Sequence, residues 1–422
     1  MTRKTEVLVL GAGVIGLSCA YFLAKAGREV TILDQSWPGS GASHGNCGTI
    51  TPSHAPPLAK PGMVAQALAW MARQDSPFYI RPRFDPVLWR WLWRFARRCN
   101  WRDFEQALAG KARLLLQSRR LLAELIRAEA IDCEYAERGH LTVFRDPAAL
   151  AAFDWWPRAL RSVGMQVNAL DGAALRAREP CLRAEVVGGF DTPLDAEFKP
   201  DAYVGGLTQV VAALGVSFAS QAEVQGFRVD GQRVAAVHTR AGEFAGEQLV
   251  LALGAWSPLL ARQLGLELPV QPGKGYSITG PRPRRCPGVP IVCRERSVAI
   301  TPWRERYRVG STMEFSGYDT RLDRTRLDAL LRGAAEYVEV EDWGEATVEE
   351  WFGWRPMTFD DLPIIGAAPG HSNLWLATGH GMLGMSMSAA TGLLVADLVC
   401  GRPPQLDPEP YAPTRFHAGR NR

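Results

Sequence analysis

The sequence predicts an α/β fold with two domains, and three observations support this prediction. The chain has 422 residues, which is too long for one hydrophobic core of ordinary size. Near the N-terminus, the apolar run of residues 6–10 leads into a glycine-rich turn and then a helical pattern. Near the C-terminus, residues 373–377 begin the same order of strand, glycine loop and helix. We therefore expect a Rossmann-type domain and a second, α+β domain with a mixed sheet.

The opening strand–turn–helix unit predicts a dinucleotide site. Gly11 permits a tight turn, Gly13 lets the backbone approach a pyrophosphate, and Gly16 lets the helix pack close to the strand. The helix N-terminus offers free N–H groups and the positive end of its dipole to the phosphates. Asp34, at the end of the next strand, is placed to accept hydrogen bonds from the adenosine ribose. The candidate residues of this unit are Gly11, Gly13, Val14, Ile15, Gly16, Asp34 and Gln35.

Composition and charge narrow the class of protein. The net charge of +4 is small and the basic residues are scattered, so we expect no nucleic acid partner. The eight cysteines form no CxxC pair and no Cys/His group with zinc-finger spacing, so no metal site or disulfide framework is expected. We see no secretory leader before the first strand and no apolar run of about 18 residues, so we expect a cytoplasmic location.

Two further loops indicate which dinucleotide binds. Residues 38–48, here called the small-residue loop, follow Asp34 closely and suit a close approach of the backbone to a cofactor. Residues 378–385, here called the second glycine loop, open an apolar helix after the second predicted strand. They again direct N–H groups at a ligand. The first motif alone does not distinguish FAD from NAD, whereas the two loops together favour FAD.

Five motifs stand in order along nearly the whole chain: GAGVIG, GSGASHGNCG, GKGYSITG, WRPMTFDDLPIIG and ATGHGMLGMSMSAATG. In these motifs the chain resembles the D-amino-acid oxidase superfamily of flavoproteins, and most of all its bacterial D-amino-acid dehydrogenase branch. The resemblance implies that the small-residue loop lies along the flavin and that amides of the second glycine loop face the flavin C2 carbonyl. The cofactor-binding residues it implies are Ser43, His44, Asn46, Cys47, Val224, Gly254, Gly379, His380, Gly381, Met382, Leu383 and Gly384.

The resemblance also implies that FAD is held non-covalently. Related dimethylglycine and sarcosine dehydrogenases carry a histidine that bonds covalently to the flavin, and His44 is displaced by one position from that pattern. Monomeric sarcosine oxidases use a cysteine just before the segment that matches residues 358–360. This sequence has no cysteine between Cys293 and Cys400.

Arg355, in the motif WRPMTFDDLPIIG, is the predicted substrate anchor. The resemblance implies an arginine over the flavin that pairs with the substrate carboxylate. A planar guanidinium makes two parallel hydrogen bonds to a carboxylate and so fixes its orientation. Tyr276 is predicted to donate to the same carboxylate. His380 and His54 complete the predicted substrate contacts, with a surface position favoured for His54.

The resemblance implies oxidation of the Cα–N bond of a small D-amino acid. A hydride would pass to flavin N5, giving an imine that water converts to a 2-oxo acid, and the electrons would go to a quinone or another acceptor than oxygen. Three alternatives stay open. They are a D-proline or cis-4-hydroxy-D-proline dehydrogenase that gives a cyclic imine, a glycine- or sarcosine-type oxidase, and a non-catalytic subunit that carries FAD.

We expect the domains to be discontinuous. Residues 1–60, 197–260 and 345–415 would form the FAD-binding domain. Residues 61–196 and 261–344 would form the substrate-binding domain.

Residues 84–98 predict an amphipathic helix. One side carries Arg90, Arg94, Arg97 and Arg98, and the other carries Trp89, Leu92, Trp93 and Ala96. The favoured interpretation is a domain helix with its aromatic face in the core and its arginines in solvent. The alternative is a peripheral contact with an anionic inner membrane.

Overall fold

The computed structural model describes residues 2–71, 76, 78–340 and 346–416. In chain order its strands are β1 (Arg3–Leu10), β2 (Val30–Leu33), β3 (Thr49–Ile50), β4 (Phe78–Ile80), β5 (His140–Phe144), β6 (Asn168–Asp171), β7 (Gly188–Thr192), β8 (Ala196–Glu197), β9 (Ser217–Ala219), β10 (Val224–Asp230), β11 (Arg233–Thr239), β12 (Gly242–Leu251), β13 (Val270–Pro281), β14 (Ile291–Cys293), β15 (Val298–Pro302), β16 (Arg306–Phe315), β17 (Glu349–Thr358), β18 (Ile364–Ala367) and β19 (Leu374–Thr378). Its α-helices are α1 (Val14–Lys25), α2 (Met63–Met71), α3 (Pro86–Arg98), α4 (Trp101–Ala128), α5 (Pro147–Ala152), α6 (Trp155–Ser162), α7 (Gly172–Arg178), α8 (Pro200–Ala213), α9 (Ser257–Ala261), α10 (Arg324–Ala335) and α11 (Gly384–Val399).

The first sheet has a parallel centre in the order β19–β12–β1–β2–β9. Strand β18 pairs antiparallel with β19, and the hairpin of β10 and β11 extends from β12. Its strands come from three separate parts of the chain. The carboxyl ends of β1, β2 and β12 lie side by side, which is where ligands bind in open α/β sheets.

Strand β1 is buried on both faces, as its continuous apolar sequence predicts. Val7 and Val9 face a core that also contains Leu17 of α1 and Leu394 of α11. The alternate residues of β1 face a second core below the sheet. Helices α1 and α11 therefore cover the same face of the parallel sheet.

The second sheet has the order β17–β13–β16–β15–β14–β5–β7–β6, with β4 beside β16. Most neighbours are antiparallel, but β14–β5 and β16–β4 are parallel, so the sheet is mixed as predicted. One assignment needs correction. Residues 349–358 were expected in the FAD-binding domain, yet β17 pairs with β13 along ten residues and belongs to the second sheet. The expected boundary at residue 345 lies outside the described residues.

Helix α4 was expected in the substrate-binding domain. Leu115 and Leu122 are fully buried in a core that contains Leu17 of α1 and also Phe144 and Phe190 of the second sheet, so the helix packs between the two predicted domains. The amphipathic pattern predicted the helix correctly. Which sheet it would cover could not be read from that pattern, because an apolar face fits any complementary core.

Helix α3 presents a different face to the core from the one predicted. It begins after Asp85, whose carboxylate accepts a hydrogen bond from the Leu88 amide at 2.9 Å. Leu88 and Trp91 are buried, whereas Trp89 and Trp93 are 49% and 57% exposed. The prediction that the aromatic face of Trp89 and Trp93 enters the core is therefore wrong. Within the described residues, no helix is long and apolar enough to cross a bilayer.

Candidate active site

A cavity of about 970 Å³ runs between the two sheets. At one end it is lined by the turn after β1, and Gly11 in that turn has φ of +105°. A Cβ on Gly11 would lie 2.6 Å from the Ala252 carbonyl oxygen, and one on Gly16 would lie 1.9 Å from the Gly11 carbonyl oxygen. Both positions therefore require glycine. Gly16 does not line the cavity but brings α1 close to the turn, as predicted.

The N-terminus of α1 meets the small-residue loop. The Val14 amide, the first in the helix, donates to Ser43 Oγ at 3.0 Å. Gly13, Val14 and Ile15 line the cavity beside Ser43. The structure thus brings together the residues predicted to face a pyrophosphate.

Asp34 lies at the end of β2 and lines the same end of the cavity. Its carboxylate accepts hydrogen bonds from the Ala12 amide at 2.7 Å and from the Ser36 amide at 2.9 Å. Each carboxylate oxygen keeps a further lone pair, so the fixed side chain can still accept from a ribose hydroxyl. Gln35 and Val224, both predicted cofactor contacts, line this end as well.

The small-residue loop is held in shape by its own side chains. Asn46 Nδ2 donates to the Ser43 carbonyl oxygen at 3.0 Å, and Asn46 Oδ1 accepts from the Gly48 amide at 2.9 Å. Cys47 follows in the cavity wall, and a Cβ on Gly310 would lie 2.7 Å from its Sγ. The loop therefore forms a preformed wall of the cavity.

The second glycine loop lines the same cavity as the small-residue loop. Residues 380–385 line it up to the start of α11, and Gly254 lines it nearby. Gly381 has φ of +54°. Gly379 does not line the cavity, because its backbone packs against Thr358, whose Cγ2 would lie 2.7 Å from a Cβ. The predicted direct contact of Gly379 with a cofactor is thus replaced by a packing role.

Arg355 lies on β17 and lines the cavity. Its guanidinium extends over Gly275 of β13, where a Cβ would lie 2.4 Å from Arg355 Cζ. One Nη donates to the Thr312 carbonyl oxygen, and no carboxylate among the described residues forms an ion pair with the guanidinium. Burial lowers the pKa of Arg355, but an arginine stays protonated at neutral pH. An uncompensated, buried guanidinium of this kind fits a ligand carboxylate.

Tyr276 does not support the predicted role in carboxylate binding. Side chains alternate between the faces of a strand, so Tyr276 points away from the face on which Gly275 meets Arg355. Its phenol is 1% exposed and donates to Glu314 Oε2 at 2.8 Å. It packs with Leu327 of α10 in the core of the second sheet. Tyr276 lines the cavity, but its phenol proton is donated to Glu314, so the predicted donation to a substrate carboxylate would require this hydrogen bond to break.

The three predicted histidines have different surroundings. His44 does not line the cavity, because its Nε2 lies 2.6 Å from Glu349 Oε1, so its predicted cofactor contact is corrected. His54 does line the cavity, and the surface position favoured for it is wrong. His380 lines the cavity and pairs through Nε2 with Thr391 Oγ1 at 3.0 Å. Burial lowers the pKa of both His54 and His380 to about 3, so both are neutral at pH 7.

Several groups in the cavity wall were not predicted. Asp361 lines the cavity, and its Oδ2 lies 2.6 Å from Nζ of Lys111 on α4, a buried residue that does not itself line the cavity. Arg294, which follows β14, lines the cavity. The position of Asp361 within the motif WRPMTFDDLPIIG is a signal that could have found it, whereas nothing in the local sequence marks Lys111 or Arg294. An apolar part of the wall comes from α2 and α3, namely Met63, Ala67, Trp70, Trp91, Leu92 and Phe95.

Known proteins are similar to this chain in sequence and in fold. The family model for FAD dependent oxidoreductases (DAO) matches residues 6–398. The chain belongs to this family. It is similar to two proteins named D-amino acid dehydrogenase. The one from Allorhizobium ampelinum is 37% identical over 421 residues, which cover 98% of this chain and 99% of that protein. The one from Paramagnetospirillum magneticum is 38% identical over 419 residues, which cover 97% and 99%.

Solved structures agree with this family. Glycine oxidase from Geobacillus kaustophilus has a TM-score of 0.79 at 26% identity, covering 98% of this chain and 99% of that protein. L-proline dehydrogenase from P. horikoshii has a TM-score of 0.75 at 19% identity, covering 100% of both proteins, and shows the fold alone. The predicted family and the predicted α/β fold class are confirmed, and the cofactor of the family is FAD.

The described residues fit FAD. The cavity is continuous from Gly11 and Asp34, past the small-residue loop, to the second glycine loop. The crowded glycine turn and the start of α1 would hold the pyrophosphate, and Asp34 would hold the adenosine ribose. Residues of the small-residue loop and of the second glycine loop would contact the flavin ring.

His380 contributes to the dependence of stability on pH. Because burial lowers the pKa of its imidazole from 6.5 to about 3, the unfolded protein binds a proton at this residue below pH 6.5, whereas the folded protein does not. Acid therefore favours unfolding in this range, by about 1.4 kcal/mol for each pH unit. When the pH falls from about 6.5 to about 5, the free energy of unfolding should decrease by roughly 2 kcal/mol less in His380→Gln than in the wild type. Urea unfolding at the two pH values measures this difference.

The control for this measurement is His238→Gln, which changes an imidazole on the surface. It should keep the pH dependence of the wild type. An unchanged pH dependence in His380→Gln would contradict a neutral, buried His380.

Proposed function

We propose that this protein is an FAD-dependent dehydrogenase that oxidises the Cα–N bond of a small D-amino acid, with FAD held non-covalently. The observation that carries the proposal is the guanidinium of Arg355, which lines the cavity between the two loops without a carboxylate partner among the described residues. The similar proteins named D-amino acid dehydrogenase, which match over nearly their full length, support the D-amino acid class. The contact of His44 with Glu349 supports non-covalent attachment.

The residues of the site act mainly by orientation. Arg355 holds the substrate carboxylate by two parallel hydrogen bonds and so fixes the direction of the Cα–H bond. When bound, FAD would supply the hydride acceptor for oxidation at Cα. His380 is neutral, so its imidazole can donate or accept a hydrogen bond without adding a positive charge to the site. No residue needs to act as a base on Cα, since the lone pair of a neutral amine forms the C=N bond as the hydride leaves.

Other substrates and roles have distinct signatures. A cyclic substrate such as D-proline or cis-4-hydroxy-D-proline would give a cyclic imine, whereas an acyclic D-amino acid gives a 2-oxo acid after hydrolysis. A subunit that only carries FAD would show no change of flavin absorbance with any amino acid.

The deciding experiment adds a panel of D- and L-amino acids and glycine anaerobically and follows the flavin absorbance. Bleaching by L-amino acids alone, or by none, would overturn the proposal.

Arg355→Ala should weaken substrate binding while FAD stays bound. Loss of charge-assisted hydrogen bonds to a carboxylate should raise the Michaelis constant about 10²–10³-fold. Gly275→Ala should act in the same direction, because its Cβ would lie 2.4 Å from Arg355 Cζ and displace the guanidinium. The measurements are steady-state kinetics and the flavin-to-protein ratio.

The matched control for Gly275→Ala is Gly205→Ala in α8, where a new Cβ meets nothing within 4 Å. This variant should keep the Michaelis constant of the wild type. The assignment of Arg355 fails if Arg355→Ala binds the substrate as tightly as the wild type.

We propose a quinone as the electron acceptor. The apolar and aromatic wall formed by α2 and α3 supports this, since it suits a planar, weakly polar molecule. With a D-amino acid in air, we expect slow peroxide formation and faster turnover once a quinone with a short isoprenoid tail is added. Peroxide formed in step with product, with no gain from the quinone, would support the oxidase alternative instead.

We propose that the protein also contacts the membrane, through the outer surface of α2 and α3. Although α2 is almost entirely apolar, none of its residues is buried. The exposed apolar side chains of this surface are Val64, Leu68, Met71, Phe84, Val87, Trp89 and Trp93. Arginines of α3 lie among them, and the Arg97 guanidinium stacks 4.8 Å from the Trp93 ring centroid. Exposed aromatics beside cations suit the interface of an anionic bilayer.

The two faces of α2 and α3 support the acceptor and membrane proposals separately. One face lines the cavity, and the other is exposed and also carries apolar side chains. A helix that is apolar on both sides suits a boundary between two apolar environments. Either proposal can therefore fail without the other.

Co-sedimentation with vesicles of phosphatidylcholine and phosphatidylglycerol at low salt should recover the protein with the lipid. The double substitution Trp89→Ser/Trp93→Ser should lower this binding about tenfold or more, since it removes two interfacial aromatic side chains. Leu214→Ser/Val229→Ser, which changes two exposed apolar side chains elsewhere, is the control. Equal binding of both double variants would rule out this surface.

A further inference from the structure

A second guanidinium, that of Arg294, lines the same cavity as Arg355. Arg294 follows the end of β14, two residues after Val292, and both residues line the cavity. Its backbone amide donates to the Val143 carbonyl oxygen at 3.1 Å, which fixes the start of the side chain. The guanidinium stacks 4.6 Å from the Phe153 ring centroid. Within the part of the sequence that the structure describes, it forms no ion pair and no side-chain hydrogen bond.

The acidic side chains around Arg294 already have other partners. Glu295 is the acid with which it interacts electrostatically. The oxygens of Glu295 accept hydrogen bonds from the Arg145 amide at 2.8 Å and from the Tyr337 phenol at 2.6 Å. Asp195, close to His54, accepts from the Ser53 amide at 3.1 Å.

The other charged neighbours do not neutralise Arg294 either. Asp361 in the cavity wall pairs with Lys111 at 2.6 Å. Lys60 lies close enough that the charge of Arg294 contributes, after burial, to lowering the pKa of its amine. This corner of the cavity therefore carries uncompensated positive charge.

His54 faces the same corner. Its Nδ1 lies 3.3 Å from Thr51 Oγ1, and its Nε2 has no hydrogen-bond partner among the described residues. The imidazole lines the cavity and interacts electrostatically with Arg294. A guanidinium and a neutral imidazole can thus donate together to one ligand group.

Stacking on Phe153 does not by itself account for this arrangement. A buried guanidinium normally pairs with an anion, since its desolvation is otherwise uncompensated. The groups already assigned in this cavity leave Arg294 without such an anion. The turn after β1 and the start of α1 serve the pyrophosphate, and Arg355 serves the α-carboxylate of the substrate.

We propose that Arg294 and His54 form a second anion subsite, which binds a carboxylate on the side chain of the substrate. The preferred substrates are then dicarboxylic D-amino acids. This inference rests on the proposed D-amino-acid oxidation and narrows its substrate class. The structure assigns Arg355 to the α-carboxylate and Arg294 to the distal one, so the length of the preferred side chain reports the separation of the two guanidinium groups.

The test compares kcat/KM for D-aspartate, D-glutamate and D-2-aminoadipate with values for the neutral amides D-asparagine and D-glutamine and for D-norvaline. In the wild type, the best dicarboxylic substrate should exceed its uncharged counterpart by about 10–100-fold, the effect of a charge-assisted hydrogen bond. Arg294→Met should reduce this ratio to about one, and Arg294→Lys should retain part of it. Flavin content and urea unfolding show whether each variant is folded.

Arg332→Met is the matched control. Arg332 lies on α10 and does not line the cavity. It should keep the ratio of the wild type. A wild-type ratio near one for every substrate length, or an unchanged ratio in folded Arg294→Met, overturns the inference while flavin bleaching by neutral D-amino acids still supports the proposed function. If no D-amino acid bleaches the flavin, the proposed function fails and this inference fails with it.

Discussion

The site depends on the way the second sheet docks on the small-residue loop. Ser277 Oγ donates to the Gly45 carbonyl oxygen at 2.7 Å, and an Arg308 Nη donates to the Asn46 carbonyl oxygen at 2.8 Å. Gly45 lets the surfaces meet closely, since a Cβ there would lie 2.1 Å from the Trp351 ring. This docking sets the distance between the small-residue loop and the strand that carries Arg355. Any larger residue at position 45 would separate the two halves of the cavity.

Strand β17 connects the second sheet to the first sheet. It pairs with β13 along ten residues, then turns at Asp361, which has φ of +59°, and continues into β18 of the parallel sheet. The same short stretch therefore carries Arg355, the Asp361 that pairs with Lys111, and the approach to the second glycine loop. Its close spacing explains why one motif, WRPMTFDDLPIIG, contains so much of the site. The backbone of this motif is hydrogen-bonded in both sheets, and several of its side chains line the cavity.

The parts of the site that the sequence predicts are those encoded by local geometry. The turn at Gly11, the acid at Asp34 and the start of α11 follow from residue types at fixed spacing, so their places could be expected. The hydrogen bond of Tyr276 could not be predicted, because the face of a strand on which a residue lies depends on its partners, and here the Arg355 guanidinium lies over Gly275. His44 finds its partner Glu349 some 305 residues away, beyond any local pattern. The exposed tryptophans of α3 and the assignment of β17 to the second sheet likewise follow from long-range packing.

The balance of charge in the cavity is the last consequence of this arrangement. Among the described residues that line it, the acidic side chains are Asp34, Glu223 and Asp361. The first two lie near the turn after β1, and the third is neutralised by Lys111. Burial keeps His54 and His380 neutral, so Arg355 and Arg294 are the charged side chains of the described lining that have no acidic partner. An anionic ligand that reached both guanidinium groups would compensate the desolvation of both, whereas a ligand with one carboxylate would compensate only one.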